Sequence, residues 1–203
     1  ADAHRAEQVP VPRILAKKSA EAGGCLADDM GLGKTLQALA VLLARAAGGP
    51  ALVIAPTSVC GNWLAETRRF APSLNPRLYG EGDRAALVEG AGPLDVVIVS
   101  YTLAQQDKER FAGRTWHTLI ADEAQAIKNA AAKRAQAVFE LDAGFRLALS
   151  GTPVENRLAE LWSIMRFANP GLLGSLSRFN ERFATPIERN RSREAQHLLR
   201  RLI

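Results

Sequence analysis

The chain has 203 residues, 47% of them hydrophobic and 23% charged, and its 26 Lys and Arg against 21 Asp and Glu leave a net charge of +5. That balance excludes a disordered or fibrous chain and suits one globular domain with a sizeable core and a small appendage. No apolar run approaches the roughly 18 residues of a membrane span, and the N-terminus, with Arg5, Glu7, Arg13, Lys17 and Lys18, lacks a signal peptide's apolar segment, so the expected compartment is the cytoplasm.

Residues 1–19 read as an N-terminal extension. Gly24-Cys25-Leu26-Ala27 is a short apolar run of the kind that forms a buried strand, and Asp28-Asp29-Met30-Gly31-Leu32-Gly33-Lys34-Thr35 follows it. Glycines at 31 and 33 put no Cβ in the way, so successive N–H groups can turn inward toward phosphate oxygens. Lys34 then reaches the β and γ phosphates, and Thr35 offers its hydroxyl to Mg²⁺. The candidate phosphate loop comprises Asp29, Met30, Gly31, Leu32, Gly33, Lys34, Thr35 and Leu36. The strict form of this motif has glycine where this chain has Asp28, and a glycine-rich turn that happens to carry a lysine is the alternative. Leu36, Leu39, Ala40, Leu42 and Leu43 recur at helical spacing as far as Ala47, where Gly48-Gly49-Pro50 stops the helix.

Ala51-Leu52-Val53-Ile54-Ala55 is a continuous apolar run, hence a buried strand, ended by Pro56-Thr57-Ser58, and Val59 to Phe70 reads as a helix. Arg77-Leu78-Tyr79 reads as a short strand, Arg84 to Glu89 as a helix, and Asp95 to Val99 as another buried strand ending at Ser100-Tyr101. After two short helical stretches come the strand Thr118-Leu119-Ile120-Ala121, a helix from Ala130 to Glu140, and the strand Arg146-Leu147-Ala148-Leu149, closed by Ser150-Gly151-Thr152-Pro153. Strands that alternate with helices and are apolar throughout predict an α/β fold with a parallel sheet covered on both faces. Its ligand then lies beyond the strands' carboxyl ends. Trp63 and Trp162 read as core anchors. Cys25 and Cys60 lack metal-ligand spacing and read as reduced core thiols.

Asp122-Glu123-Ala124-Gln125 directly follows the fourth apolar strand. A carboxylate there can hold Mg²⁺, usually through water, while its neighbour faces the water that attacks a γ phosphate. Asp122 takes the first role and Glu123 the second; an acidic helix start favoured by the macrodipole is the alternative. Beyond it, Leu158, Leu161, Trp162, Ile164, Met165 and Phe167 make an apolar helical face, broken by Asn169-Pro170-Gly171. A tail follows with Arg178, Arg182, Arg189, Arg191, Arg193, Arg200 and Arg201 against Glu181, Glu188 and Glu194. It suits a nucleic-acid backbone or a solvated helix face equally.

The succession of residues 28–37, 55–63, 100–101, 122–129 and 149–163, with Asp-Glu-Ala-Gln followed by Ala-Ile-Lys-Asn and with Ser-Gly-Thr-Pro running on to Glu-Leu-Trp-Ser, resembles the first RecA-like lobe of Swi/Snf-type superfamily 2 ATPases, in a bacterial member. The resemblance implies a RecA-like P-loop lobe over 20–157 and a helical protrusion over 158–203. It implies ATP and Mg²⁺ as cofactors, and an ATPase that moves along double-stranded DNA. Catalytic roles fall on Lys34, Asp122, Glu123 and Gln125, and the metal on Thr35 and Asp122. Pro56, Thr57, Ser58, Ser100 and Tyr101 are implied along the DNA-backbone groove, and Ser150, Gly151 and Thr152, with Gln125, in coupling nucleotide state to DNA. A second RecA-like lobe carrying an arginine finger is implied as a partner from the same full-length chain, and these 203 residues alone are expected to be inactive or very weak. The first 23 residues lack the element by which such proteins read adenine, although Gln8 stands at about its distance. A non-hydrolysing nucleotide- or DNA-binding module and the motor subunit of a restriction system are the alternative readings; the second shares the phosphate loop but not the Glu-Leu-Trp-Ser block.

Overall fold

The computed structural model describes residues 22–27, 33–151 and 157–203. Its centre is a six-stranded sheet in the order β1 (Gly24–Leu26), β8 (Arg146–Leu149), β6 (Thr118–Ala121), β2 (Ala51–Ala55), β4 (Asp95–Ser100), β3 (Asn75–Leu78), every neighbouring pair parallel. A parallel sheet is stable only when both faces are covered, which is why its inner strands are apolar at nearly every position, with Asp95, Ser100, Thr118 and Arg146 confined to strand ends. Leu52 and Ile54 of β2 enter the core on one face, and Ala51, Val53 and Ala55 enter the core on the other. The second core is closed by α1 (Lys34–Arg45) and α2 (Thr57–Phe70), through Ala38, Leu39, Leu42 and Trp63. The first is closed by α3 (Arg84–Glu89), α4 (Tyr101–Gln106), α5 (Lys108–Ala112), α6 (Lys133–Phe139) and α7 (Leu158–Ala168). A two-residue pair, β5 (Thr115–Trp116) with β7 (Asp142–Ala143), lies beside the sheet. The expected α/β architecture is the observed one.

Element bounds shift where side chains intervene. β3 begins at Asn75, two residues before the expected start, and Pro76, which has no N–H to give a ladder, is accommodated because β3 is an edge strand. α6 begins at Lys133 instead of Ala130, since the Asn129 side chain accepts the Ala131 N–H and holds a turn there. Gly23 has no room for a side chain: a Cβ would stand 2.0 Å from the Ala168 carbonyl oxygen, so the chain entering β1 passes directly under α7.

The C-terminal residues form a third cluster in which Phe179, Phe183 and Leu199 pack against Trp162 of α7. α7 therefore serves two cores, with Ile164, Phe167 and Ala168 facing the sheet. α8 (Leu176–Phe179), a π-turn over Asn180–Ala184 and α9 (Thr185–Glu188) follow without a break. Pro186 gives the physical reason for the π register, because it supplies no N–H and its ring clashes with the carbonyl four residues back. α10 (Arg193–Leu202) completes the tail, and all seven arginines from Arg178 to Arg201 named above are exposed. Among the described residues no helix is long and apolar enough to cross a membrane.

Candidate nucleotide site

Gly33 adopts φ 71°, a left-handed conformation that suits glycine, and the next residue, Lys34, opens α1. The first turn of this 12-residue helix carries no acidic side chain, so its unsatisfied N–H groups keep their attraction for an anion. Lys34 and Thr35 stand in that turn, beyond the carboxyl end of β1. Asp29, Met30, Gly31 and Leu32 lie outside the described residues, as do Gln8 and Thr152.

β6 delivers the carboxylates. Asp122 follows its last residue, is 7% exposed, and has both oxygens engaged: Oδ2 accepts from the Trp63 indole at 2.8 Å and Oδ1 from the Glu123 N–H at 2.9 Å. Each oxygen retains a lone pair for a further ligand. Burial pushes the Asp122 carboxyl above the ordinary carboxylate range, while the Trp63 and Glu123 hydrogen bonds and the Lys34 ammonium pull it back toward the charged form. Glu123 takes φ 48°, which a non-glycine residue adopts at a cost, and a 3-10 turn over Ala124–Ile127 follows, so the acidic-helix-start alternative finds no α-helix here.

Gly33, Lys34, Thr35, Asp122 and Glu123 line one concavity of about 570 Å³, whose lining also includes Leu36 of α1 and Val59, Glu66, Arg69 and Phe70 of α2. That volume is in the range of small-ligand sites. Convergence of the two motifs is the expected consequence of both lying at carboxyl ends of parallel strands, with only β8 between β1 and β6.

Beside the pocket, the Gln125 amide donates to Glu123 Oε2, and the Ser150 hydroxyl donates to Gln125 Oε1 at 3.2 Å. This chain of hydrogen bonds joins the end of β6 to the end of β8, where Gly151 follows. Pro56 caps α2, and Thr57 and Ser58 are exposed on its first turn. Ser100 and Tyr101 are instead buried, at 5% and 3% exposure: the Ser100 hydroxyl accepts the Leu103 N–H to cap α4, and the Tyr101 hydroxyl donates at 2.8 Å to the Asp122 carbonyl. Burial, then the Asp122 charge, pushes the Tyr101 phenol strongly upward, which keeps it a donor.

Trp63 is the residue that a reading as core anchor understates. It is fully buried, as an anchor should be, and its indole N–H is spent on the carboxylate expected to hold metal. The available signal is chemical, since a buried indole N–H needs an acceptor.

The sequence matches the SNF2-related domain over residues 8–203. The chain belongs to that family. It is 48% identical over 191 residues to a Bacillus subtilis protein named putative ATP-dependent helicase/translocase, covering 89% of this chain and 20% of that protein. It is 36% identical to the Zorya protein ZorD of Escherichia coli, covering 98% of this chain and 21% of that one. In structure it is similar to the Sulfolobus solfataricus SWI2/SNF2 ATPase core in complex with double-stranded DNA, with TM-score 0.80 and 43% identity over 90% of this chain and 38% of that one. The chain thus spans about a fifth of the length of these two curated relatives.

Proposed function

We propose that this chain is the ATP-binding lobe of a DNA-dependent ATPase that moves along double-stranded DNA, with Mg²⁺ as cofactor. The observation that carries the reading is the single concavity into which Gly33-Lys34-Thr35 and Asp122-Glu123 converge from two strand ends.

Lys34 pairs with β- and γ-phosphate oxygens, and the N-terminal turn of α1 adds its N–H groups. The donor set suits magnesium: Thr35 offers a neutral hydroxyl, and the engaged Asp122 carboxylate keeps oxygen lone pairs for the ion directly or through water. Bound there, the metal would neutralise charge on the phosphate oxygens. Glu123 accepts a proton from the water that attacks the γ phosphorus as the bond to the β-phosphate oxygen breaks, releasing ADP and phosphate. Gln125 donates to Glu123 and accepts from Ser150, so a shift of the segment after β8 re-aims the carboxylate that positions the water. This is our account of how DNA contact and hydrolysis are coupled. The exposed Thr57 and Ser58 contact the DNA backbone, while Ser100 and Tyr101 hold the strand ends from beneath.

A second RecA-like lobe of the full-length protein supplies the arginine finger in this reading, worth about 10³–10⁵ in rate, so residues 1–203 alone turn over ATP weakly or not at all. Duplex tracking is tested by displacement of a third strand from a triplex by the whole protein with ATP. Displacement of the third strand without separation of the duplex supports the reading, and ATP-dependent separation of the duplex with the third strand undisturbed contradicts it.

A further inference from the structure

Phe70, the last residue of α2, leaves 46% of its surface exposed, and Leu36, in the first turn of α1, leaves 44%. Both line the concavity that holds Lys34 and Thr35. The Arg69 guanidinium lies 4.9 Å from the Phe70 ring centroid, so ring and guanidinium are stacked at the pocket wall. The concavity therefore offers two kinds of surface, the charged and polar groups of Lys34, Thr35, Glu66 and Asp122 and the apolar, π-bearing surface of Leu36, Val59 and Phe70.

We propose that Phe70, backed by Arg69, is the platform on which the nucleotide's base stacks. The inference rests on the phosphate-site reading and assigns the other end of the same ligand. A nucleoside triphosphate carries both chemistries, an anionic end that suits Lys34 and a flat aromatic end that suits Phe70. A solvent-exposed phenyl ring beside a phosphate site gains nothing from water, whereas a base laid against it removes apolar surface from both partners. Every base has a π-face, so the platform reads size more than hydrogen-bonding edge, and it favours purine over pyrimidine triphosphates.

The test is calorimetric titration of ATP, CTP and inorganic tripolyphosphate into the whole protein, as parent, Phe70→Ala, Phe70→Trp and Arg69→Ala. Phe70→Ala is expected to weaken ATP roughly 5- to 150-fold, the range of one base–aromatic stack, and to narrow the ATP-to-CTP preference. Tripolyphosphate affinity stays within about twofold, and Phe70→Trp keeps ATP affinity at or above the parent's. Because the ring is half-exposed, its loss leaves the core intact, which a melting curve checks. Equal weakening of ATP and tripolyphosphate, or ATP binding unchanged by Phe70→Ala, would overturn the proposal. Tripolyphosphate that fails to compete with ATP on the parent protein is a separate result, overturning the phosphate site itself.

Discussion

The Trp63 indole donates to Asp122 Oδ2 at 2.8 Å across 59 positions of sequence, with the ring fully buried between α2 and the sheet. Asp122 is thereby held in one rotamer with one lone-pair direction already used, so the carboxylate is oriented before any ion reaches it. Trp63→Phe keeps most of the ring's packing and deletes the donor. Partners of this kind are worth about 10–100-fold in metal affinity, so the Mg²⁺ concentration for half-maximal turnover should rise by that order. A merely structural role would lower the melting temperature and leave the Mg²⁺ dependence alone, which a Mg²⁺ titration of ATPase rate distinguishes.

Glu123→Gln preserves shape but gives an amide that cannot take the proton of the attacking water. ATP affinity should stay within a few-fold of the parent's, while turnover in the whole protein falls by about 10²–10⁴, the usual worth of a general base. Binding titration beside steady-state turnover checks the separation. Turnover at the parent's rate would make Glu123 an ordinary strand-end carboxylate.

Binding to duplex DNA should weaken with salt at a log–log slope of roughly −0.9 per phosphate contacted and should show no base preference. The exposed hydroxyls of Thr57 and Ser58 and the exposed arginines of the tail suit a sugar–phosphate backbone. Titration of matched duplexes of different sequence over a series of salt concentrations checks both claims, and a strong preference for one duplex would contradict them.

The Cys25 thiol is pushed from its ordinary 9.0 up to about 11 by burial, and burial raises Cys60 as well, whose Sγ donates to the Pro56 carbonyl at 3.4 Å. The folded state then holds the Cys25 proton at pH values where the unfolded state has lost it. Stability from this group is therefore complete below about 9 and declines as pH rises to about 11. Iodoacetamide should label Cys25 in the native protein at pH 8 far more slowly than in urea, as mass spectrometry of the alkylated peptide will show.

Much of this was legible in the residues. The runs at 51–55, 95–100, 118–121 and 146–149 are apolar at nearly every position because both faces of the sheet are covered. Lys34-Thr35 and Asp122-Glu123 announced themselves by following such runs. What sequence could not show is direction. Ser100 and Tyr101 stand at a strand's end much as Thr57 and Ser58 do, yet the first pair is buried and the second exposed. Along α2 the spacing from Trp63 leaves Phe70 and Ala71 both eligible for the inward place; Ala71 takes it, at 1% exposure, and the larger ring is left at the pocket. The Trp63–Asp122 bond joins two elements through tertiary packing, which no local period encodes.

The most direct test of the account is phosphate release by the whole protein with ATP and Mg²⁺, measured with and without duplex DNA in the parent and in Lys34→Ala. Each charge-assisted bond from the lysine to a phosphate oxygen is worth about 1.5–3 kcal/mol. If the proposed function holds, release rises on adding duplex and is abolished, with and without DNA, in Lys34→Ala. Release indifferent to duplex, or a folded Lys34→Ala protein that hydrolyses ATP at the parent's rate, would contradict it.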